Sequence, residues 1–286
     1  LLKKYEIDIL HTHGHRANIT GFLANRRWKA KLVSSIHGWT SSTGKIRVYE
    51  YLEKRLLKRF DRVLAVSDDI RKILIKHHIH ENRIVTLHNA IDLDSYSTTE
   101  DGSGLRKGLG VRNGDKLIGM VGRLSREKGV DHFLRVAKKI LERKSDVRFV
   151  IAGDGPEKEK LIKLRDELGL REHVSFYGYT RDVSAIYAAL DLFLLTSLSE
   201  GIPISLLEAA YFGKPCIVTA VGGIPEMLEG VGKLVRSGDV DSMAEQALYL
   251  LSHESEAKEY SQRLHDHLMN QCDPKQWIHS IQEIYR

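Results

Sequence analysis

The chain has 286 residues, enough for two domains that each bury a proper core. Its 42% hydrophobic and 29% charged residues are the balance of an ordinary folded protein. No apolar run reaches the length of a membrane span, and two cysteines, Cys216 and Cys272, are too few for a disulfide framework and lack metal-ligand spacing. The opening LLKKYEIDIL has no signal-peptide core, so a cytoplasmic protein is expected. The net charge of +6 is uneven: residues 1–100 hold 18 Lys/Arg against 11 Asp/Glu, and the rest is close to neutral. A basic first part suits an anionic membrane surface or an anionic acceptor, or is simply a solvated face. No nucleic-acid-binding signature accompanies it.

In chain order, YEIDIL (5–10) reads as a strand running into a histidine-rich turn, His11, His13 and His15. No Cys, Asp or Glu set stands nearby to complete a metal site, and none is expected. A helix through Gly21–Ala24 precedes the strand AKLVSSIHGW, which places His37 at a strand's carboxyl end, where open α/β sheets keep their function. Tyr49–Phe60 carries apolar residues at helical spacing (Tyr51, Leu52, Leu56, Leu57, Phe60). DRVLAVSDDIRKIL is strand, loop and helix, with Ser67 as N-cap and Asp68 and Asp69 in the first turn. Arg83–Asp92 is a strand ending in a turn, and a Ser/Thr/Gly-rich stretch, 94–115, follows as the link to a second domain.

That domain repeats strand, glycine turn and helix three times, in KLIGMVGRLSREKG, DVRFVIAGDGPE and HVSFYGYTRD, the signature of a doubly wound parallel sheet. Arg123 and Lys128 sit in the first of these turns, where a guanidinium fork and an ammonium suit a pyrophosphate or are plain surface charge. The fourth strand, Leu192–Leu195, leads through a polar loop to Glu200-Gly201-Ile202-Pro203 and a helix from Ile204 to Phe212, with Pro203 suited to its first position and Gly213-Lys214-Pro215 as its stop. Glu200 alone reads equally as an acid drawn to the helix dipole. Glu208 lies among Leu206, Leu207, Ala209 and Ala210, and a carboxylate there needs a partner. GGIPEML (222–228) is a glycine turn that could present N–H groups to a phosphate, and 241–286 reads as helices.

The string EGIPISLLE resembles the E-x7-E motif of the family 4 retaining glycosyltransferases, which have the GT-B fold: two Rossmann-like parallel-sheet domains facing a cleft. VGRLSREKG, IAGDGPE, FYGYTRD, SIHG and LHNAID are similar to further motifs of that family, the last with His88 and Ala90 in place of its usual Pro and Gly. The resemblance implies that Arg123 and Lys128 hold the donor diphosphate and that the FYGYTRD loop meets the nucleobase through its backbone; Tyr179 and Arg181 are the candidates for that wall. It further implies that Glu200 with the Gly201–Ile204 backbone (Gly201, Ile202, Pro203, Ile204) holds the sugar, that Glu208 accepts from the ribose hydroxyls, and that His37 faces the anomeric centre. Glu200, Arg123, Lys128 and His37 are the catalytic candidates, with a UDP- or GDP-linked sugar as substrate and no separate cofactor. The implied division is a first acceptor-side domain over 1–100, a linker over 101–115, a donor domain over 116–270, and a terminal helix over 271–286 packing back toward the first domain. Family members begin with about a hundred further residues, so the first domain is expected to lack its opening strands.

The expected function is transfer of a sugar from a nucleoside diphosphate sugar to a glycan or lipid-linked acceptor hydroxyl, on the cytoplasmic face of a membrane or free of it. A non-catalytic nucleotide-sugar-binding fragment, or a phosphorylase or epimerase of the same architecture, remains as the alternative.

Overall fold

The computed structural model describes residues 2–39, 44–92, 95–96 and 101–286, so the Ser/Thr-rich part of the expected linker at 97–100 lies outside the described residues. The chain folds as two compact α/β units. One comprises Leu1–Asn89, Glu200–Ile202 and Pro274–Arg286; the other comprises Ala90–Ser199 and Pro203–Asp273.

The first unit holds a parallel four-stranded sheet in the order β1 (Ile9–His13), β2 (Lys31–Ile36), β3 (Arg62–Ala65), β4 (Ile84–Thr86). β1 starts and ends later than YEIDIL suggests. Its register, Ile9 to Lys31 through His13 to Ser35, makes His11 and His13 strand residues rather than turn residues. Alternate side chains serve opposite faces of the sheet. Leu32, Ile36, Val63 and Ala65 join Leu57 and Phe60 from the turn after α2 (Gly44–Leu56) and Ile70 and Leu74 from α3 (Asp68–Lys76). On the other face Val33 and Leu64 meet Ile281 and Ile284 of the last helix, Pro274–Tyr285. Ser67 caps α3, its hydroxyl accepting from the Ile70 N–H.

α2 buries a different face from the one its apolar residues suggest. Tyr51 and Leu52 are exposed, while Glu50 and Glu53 are buried. The cause is a polar network beneath it. Glu53 accepts from Asn18 Nδ2 at 2.5 Å and Trp39 Nε1 at 2.8 Å, with His15 Nδ1 at 3.3 Å, and Asn18 Oδ1 in turn accepts from Thr12 and Ser34. Asn18 comes from α1 (His15–Asn25), so one carboxylate ties α1 to α2.

The second unit is a six-stranded parallel sheet. The strands are β5 (Lys116–Val121), β6 (Val147–Ala152), β7 (Val174–Gly178), β8 (Leu192–Leu195), β9 (Cys216–Thr219) and β10 (Lys233–Val235), ordered β10-β9-β8-β5-β6-β7. The chain runs outward from β5 to β7, then returns to β5's other side with β8 and runs outward again. The switch point is therefore between β5 and β8. β5, β6, β8 and β9 are almost wholly buried, the continuous apolar pattern of strands covered on both faces.

The covering helices are α4 (Ser103–Gly108), α5 (Val130–Leu141), α6 (Lys158–Glu167), α7 (Ser184–Ala189), α8 (Ile204–Tyr211), α9 (Ile224–Met227), α10 (Val240–Ser252) and α11 (Glu254–Gln271). On α5 the residues Val130, Phe133, Leu134, Ala137 and Ile140 form the buried stripe. The division between units falls at Asn89 rather than near residue 100, and the expected linker 101–115 contributes to the second unit. Arg106 on α4 donates to the Ala189 carbonyl and to Asp191 Oδ2, both at 2.8 Å, and to the Asp115 carbonyl at 2.6 Å, which fastens that stretch to the sheet.

Candidate functional site

In the second unit the loops after β5 and β8 meet at the switch point. The Leu198 N–H donates to the Glu127 carbonyl at 2.8 Å, and Thr196 Oγ1 donates to the Gly129 carbonyl at 2.8 Å. Gly129 has φ +58°, and a Cβ there would lie 2.1 Å from the Thr196 oxygen, so only glycine closes this junction. Gly153, at the end of β6, lies against the Gly122 carbonyl with no room for a side chain and φ +143°.

The turns after β5, β6 and β7 surround a pocket of about 390 Å³ lined by Val121, Gly122, Arg123, Gly153, Tyr179, Thr180 and Val183, among others. Of the residues singled out from the sequence, Arg123 and Tyr179 share this wall, and both are exposed. Lys128 is half-buried on the same loop as Arg123, and its side chain runs past Gly122, where a Cβ would be 3.7 Å from its Cε. Arg181 is exposed and does not line the pocket; Thr180 and Val183, which the sequence did not single out, do. Mostly apolar walls with a guanidinium at the rim suit a flat ring carrying an anionic tail.

α8 begins in the other switch-point loop. Pro203 is the residue before the helix, one position earlier than expected, with φ −76° and ψ 119°, and Ile204 is its first residue, 40% exposed. Glu208 is half-buried on α8, and its predicted need for a partner is met twice. Tyr96 donates to Oε1 and Tyr187 to Oε2, each at 2.7 Å. Burial and this carboxylate push both phenol pKa values above the ordinary value. Tyr187 was detectable in principle, because a tyrosine in IYAAL must satisfy a hydroxyl. Tyr96 gave no signal, since its partner lies 112 positions on.

In the first unit His37 follows β2 and stacks on His13 with ring centroids 5.5 Å apart; His13 Nδ1 and His37 Nε2 are 3.1 Å apart. A hydrogen bond between them requires that one nitrogen carry the proton and the other lack it. His11 stacks on His13 at 4.6 Å and is held by Ser35 Oγ at 2.9 Å and the Tyr285 hydroxyl at 2.7 Å. Burial, then the charges of His13 and His37, push the His11 pKa down to about 4; burial, then His13, lowers that of His37. Among the described residues no three His, Cys, Asp or Glu side chains are placed to hold a metal ion. Glu200–Ile202 belongs to this unit: Gly201 packs on the His37 carbonyl, which a Cβ would approach to 2.4 Å, and Asn89 Nδ2 donates to the Ile202 carbonyl at 2.9 Å.

Comparison with known proteins agrees with this arrangement. The E. coli UDP-Gal:alpha-D-GlcNAc-diphosphoundecaprenol alpha-1,3-galactosyltransferase is 32% identical over 254 residues, which are 85% of this chain and 66% of that protein. The N-acetyl-alpha-D-glucosaminyl L-malate synthase of Bacillus anthracis is 28% identical over 289 residues, 99% of this chain and 75% of the synthase. This chain thus spans about two thirds to three quarters of those relatives' lengths. A crystal structure of Anabaena HepE in complex with UDP and glucose superposes with a TM-score of 0.89 at 23% identity, over 98% of this chain and 78% of that one, which shows the GT-B fold. The model of glycosyltransferase family 4 matches residues 1–95 and that of the group 1 glycosyl transferases matches residues 104–266. With more than half of its length in the second match, including the β5 loop, the pocket and α8, the chain belongs to the group 1 glycosyl transferases.

Proposed function

We propose that the chain is the greater part of a retaining glycosyltransferase that takes its sugar from a UDP-linked donor and delivers it to the hydroxyl of a glycan or lipid-linked acceptor. The observation that carries this is the pocket at the carboxyl ends of β5, β6 and β7, with Arg123 on its rim and Lys128 on the same loop. The base occupies the pocket between Arg123 and Tyr179, and the diphosphate lies along the β5 loop. Uridine is chosen because the E. coli relative is named for UDP-Gal and the HepE structure contains UDP. Glu208 receives the ribose hydroxyls, and Glu200 with the Gly201–Ile204 backbone receives the sugar.

In the reaction the bond between the anomeric carbon and the diphosphate oxygen breaks, and the diphosphate leaves with the electron pair. The acceptor oxygen forms the new bond on the same face and passes its proton to the departing diphosphate oxygen. Arg123 and Lys128 offset the charge growing on the leaving group, helped by the α8 N-terminus, so the proposal calls on no metal or other cofactor. His37 remains the catalytic candidate of the first unit.

A lipid-linked acceptor agrees with the E. coli relative's named substrate and with the surface of the first unit. On α2, Val48, Tyr51 and Leu52 are exposed together with Arg47 and Arg55, an apolar and basic mixture that fits peripheral contact with an anionic membrane surface. No helix of the described residues is long and apolar enough to cross a membrane.

A thermal-shift panel of UDP, GDP and ADP tests the reading. At about 100 times its dissociation constant UDP raises stability by roughly 2.7 kcal/mol, several degrees in melting temperature. A cooperatively melting chain that none of the three shifts refutes donor binding. Transfer of radiolabelled sugar from a UDP-sugar to lipid extracts then separates an enzyme from a binding fragment.

A further inference from the structure

Both oxygens of Glu208 are engaged by phenols, and the rings that carry those phenols are themselves held. Tyr187 is fully buried within α7 and stacks on Phe212 with centroids 5.7 Å apart and planes at 20°. Tyr96 meets the same Phe212 edge-on at 6.0 Å and leans on Tyr211 at 5.8 Å. Phe212 is four residues beyond Glu208, one helical turn along the same face, and its N–H donates to the Glu208 carbonyl at 3.0 Å. One aromatic ring therefore anchors two hydroxyls, and each hydroxyl fixes one carboxylate oxygen.

An ionised carboxylate has about four lone-pair positions, so two phenols leave it able to accept two more hydrogen bonds, in a plane it can no longer rotate out of. A vicinal diol offers two donors at that spacing. We infer that Tyr96 and Tyr187 are positioning residues for Glu208, locking its carboxylate in the orientation that receives the 2′- and 3′-hydroxyls of the donor ribose. This rests on the donor-binding reading above. The order it supplies is paid before the ligand arrives, which is how a pre-set group gains affinity.

The test uses calorimetry with UDP and with 2′,3′-dideoxy-UDP on the wild-type chain and on Y96F and Y187F. In the wild type the dideoxy compound binds roughly 10- to 100-fold more weakly, the span that hydrogen bonds to a charged group carry. In Y96F, UDP weakens by about 5- to 10-fold while the dideoxy compound is unchanged, so the discrimination shrinks. Y187F behaves in the same way if it folds; Y96F, at a half-buried ring, keeps the inference testable if it does not. Wild-type discrimination retained in full by Y96F overturns the inference and leaves donor binding standing. Equal weakening of both nucleotides overturns it too, since that marks general damage rather than positioning. A wild type that binds UDP and its dideoxy analogue alike shows that Glu208 does not meet the ribose, and one that binds neither removes the donor reading itself.

Discussion

Among single residues, Arg123 carries the charge recognition of the pocket. Its side chain lines the pocket and is exposed to whatever enters, so removing it leaves the fold intact. Arg123→Ala is expected to weaken UDP binding about 10- to 100-fold, the worth of a charge-assisted contact, with the melting temperature of the free chain unchanged. Titration calorimetry beside a melting curve checks both halves.

The stacked histidines make a different kind of prediction. Burial and its ring neighbours hold the His11 pKa at about 4 against an ordinary 6.5. As pH falls below about 6.5 the unfolded chain takes up this proton first, so stability is full above that point and erodes down to about 4. His37, shifted in the same direction, adds to the slope. Urea midpoints between pH 7 and pH 4 should fall accordingly, and His11→Asn should flatten the profile.

At the scale of elements, α2 shows what a buried acid can be worth. Glu53→Ala strips Asn18 and Trp39 of their acceptor, and each orphaned donor costs about 1–3 kcal/mol. Chemical denaturation should record that loss, with Leu52→Ala, at an exposed site on the same helix, as the near-neutral control.

The two cases also mark how far sequence reading reaches. The strand–turn–helix repeats, the switch-point loops and the α8 start were readable because their causes are local: apolar runs, glycine turns and a proline before a helix. Arg123 and Tyr179 came from local motifs in the same way. The buried face of α2 was misread because it answers to Asn18 and Trp39, which periodicity within one helix does not reveal. Tyr96 was invisible for the same reason, and Thr180 and Val183 line the pocket through a turn whose shape no single residue announces. β10 is only three residues long and left no pattern to read.

At the scale of the whole molecule, the positive charge resides in the first hundred residues, so any attraction to a bilayer is a property of one unit. Co-sedimentation with vesicles containing anionic lipid is expected to be strong at low salt and to fade as ionic strength rises, with neutral vesicles bound weakly throughout. Replacing Val48 and Leu52 by Glu on the exposed face of α2 should reduce the binding at every salt concentration without lowering thermal stability. Binding that is indifferent both to lipid charge and to these substitutions would remove α2 from the account.

The last helix carries a consequence for biosynthesis. Val33 and Leu64 present one face of the first sheet, and the side chains that close it, Ile281 and Ile284, belong to Pro274–Tyr285. On a translating ribosome roughly 185 residues separate Asn89 from Pro274. At about 5–20 residues per second that face waits some 10–40 s for its cover. During that interval the nascent chain exposes an apolar sheet surface, a natural substrate for a ribosome-associated chaperone.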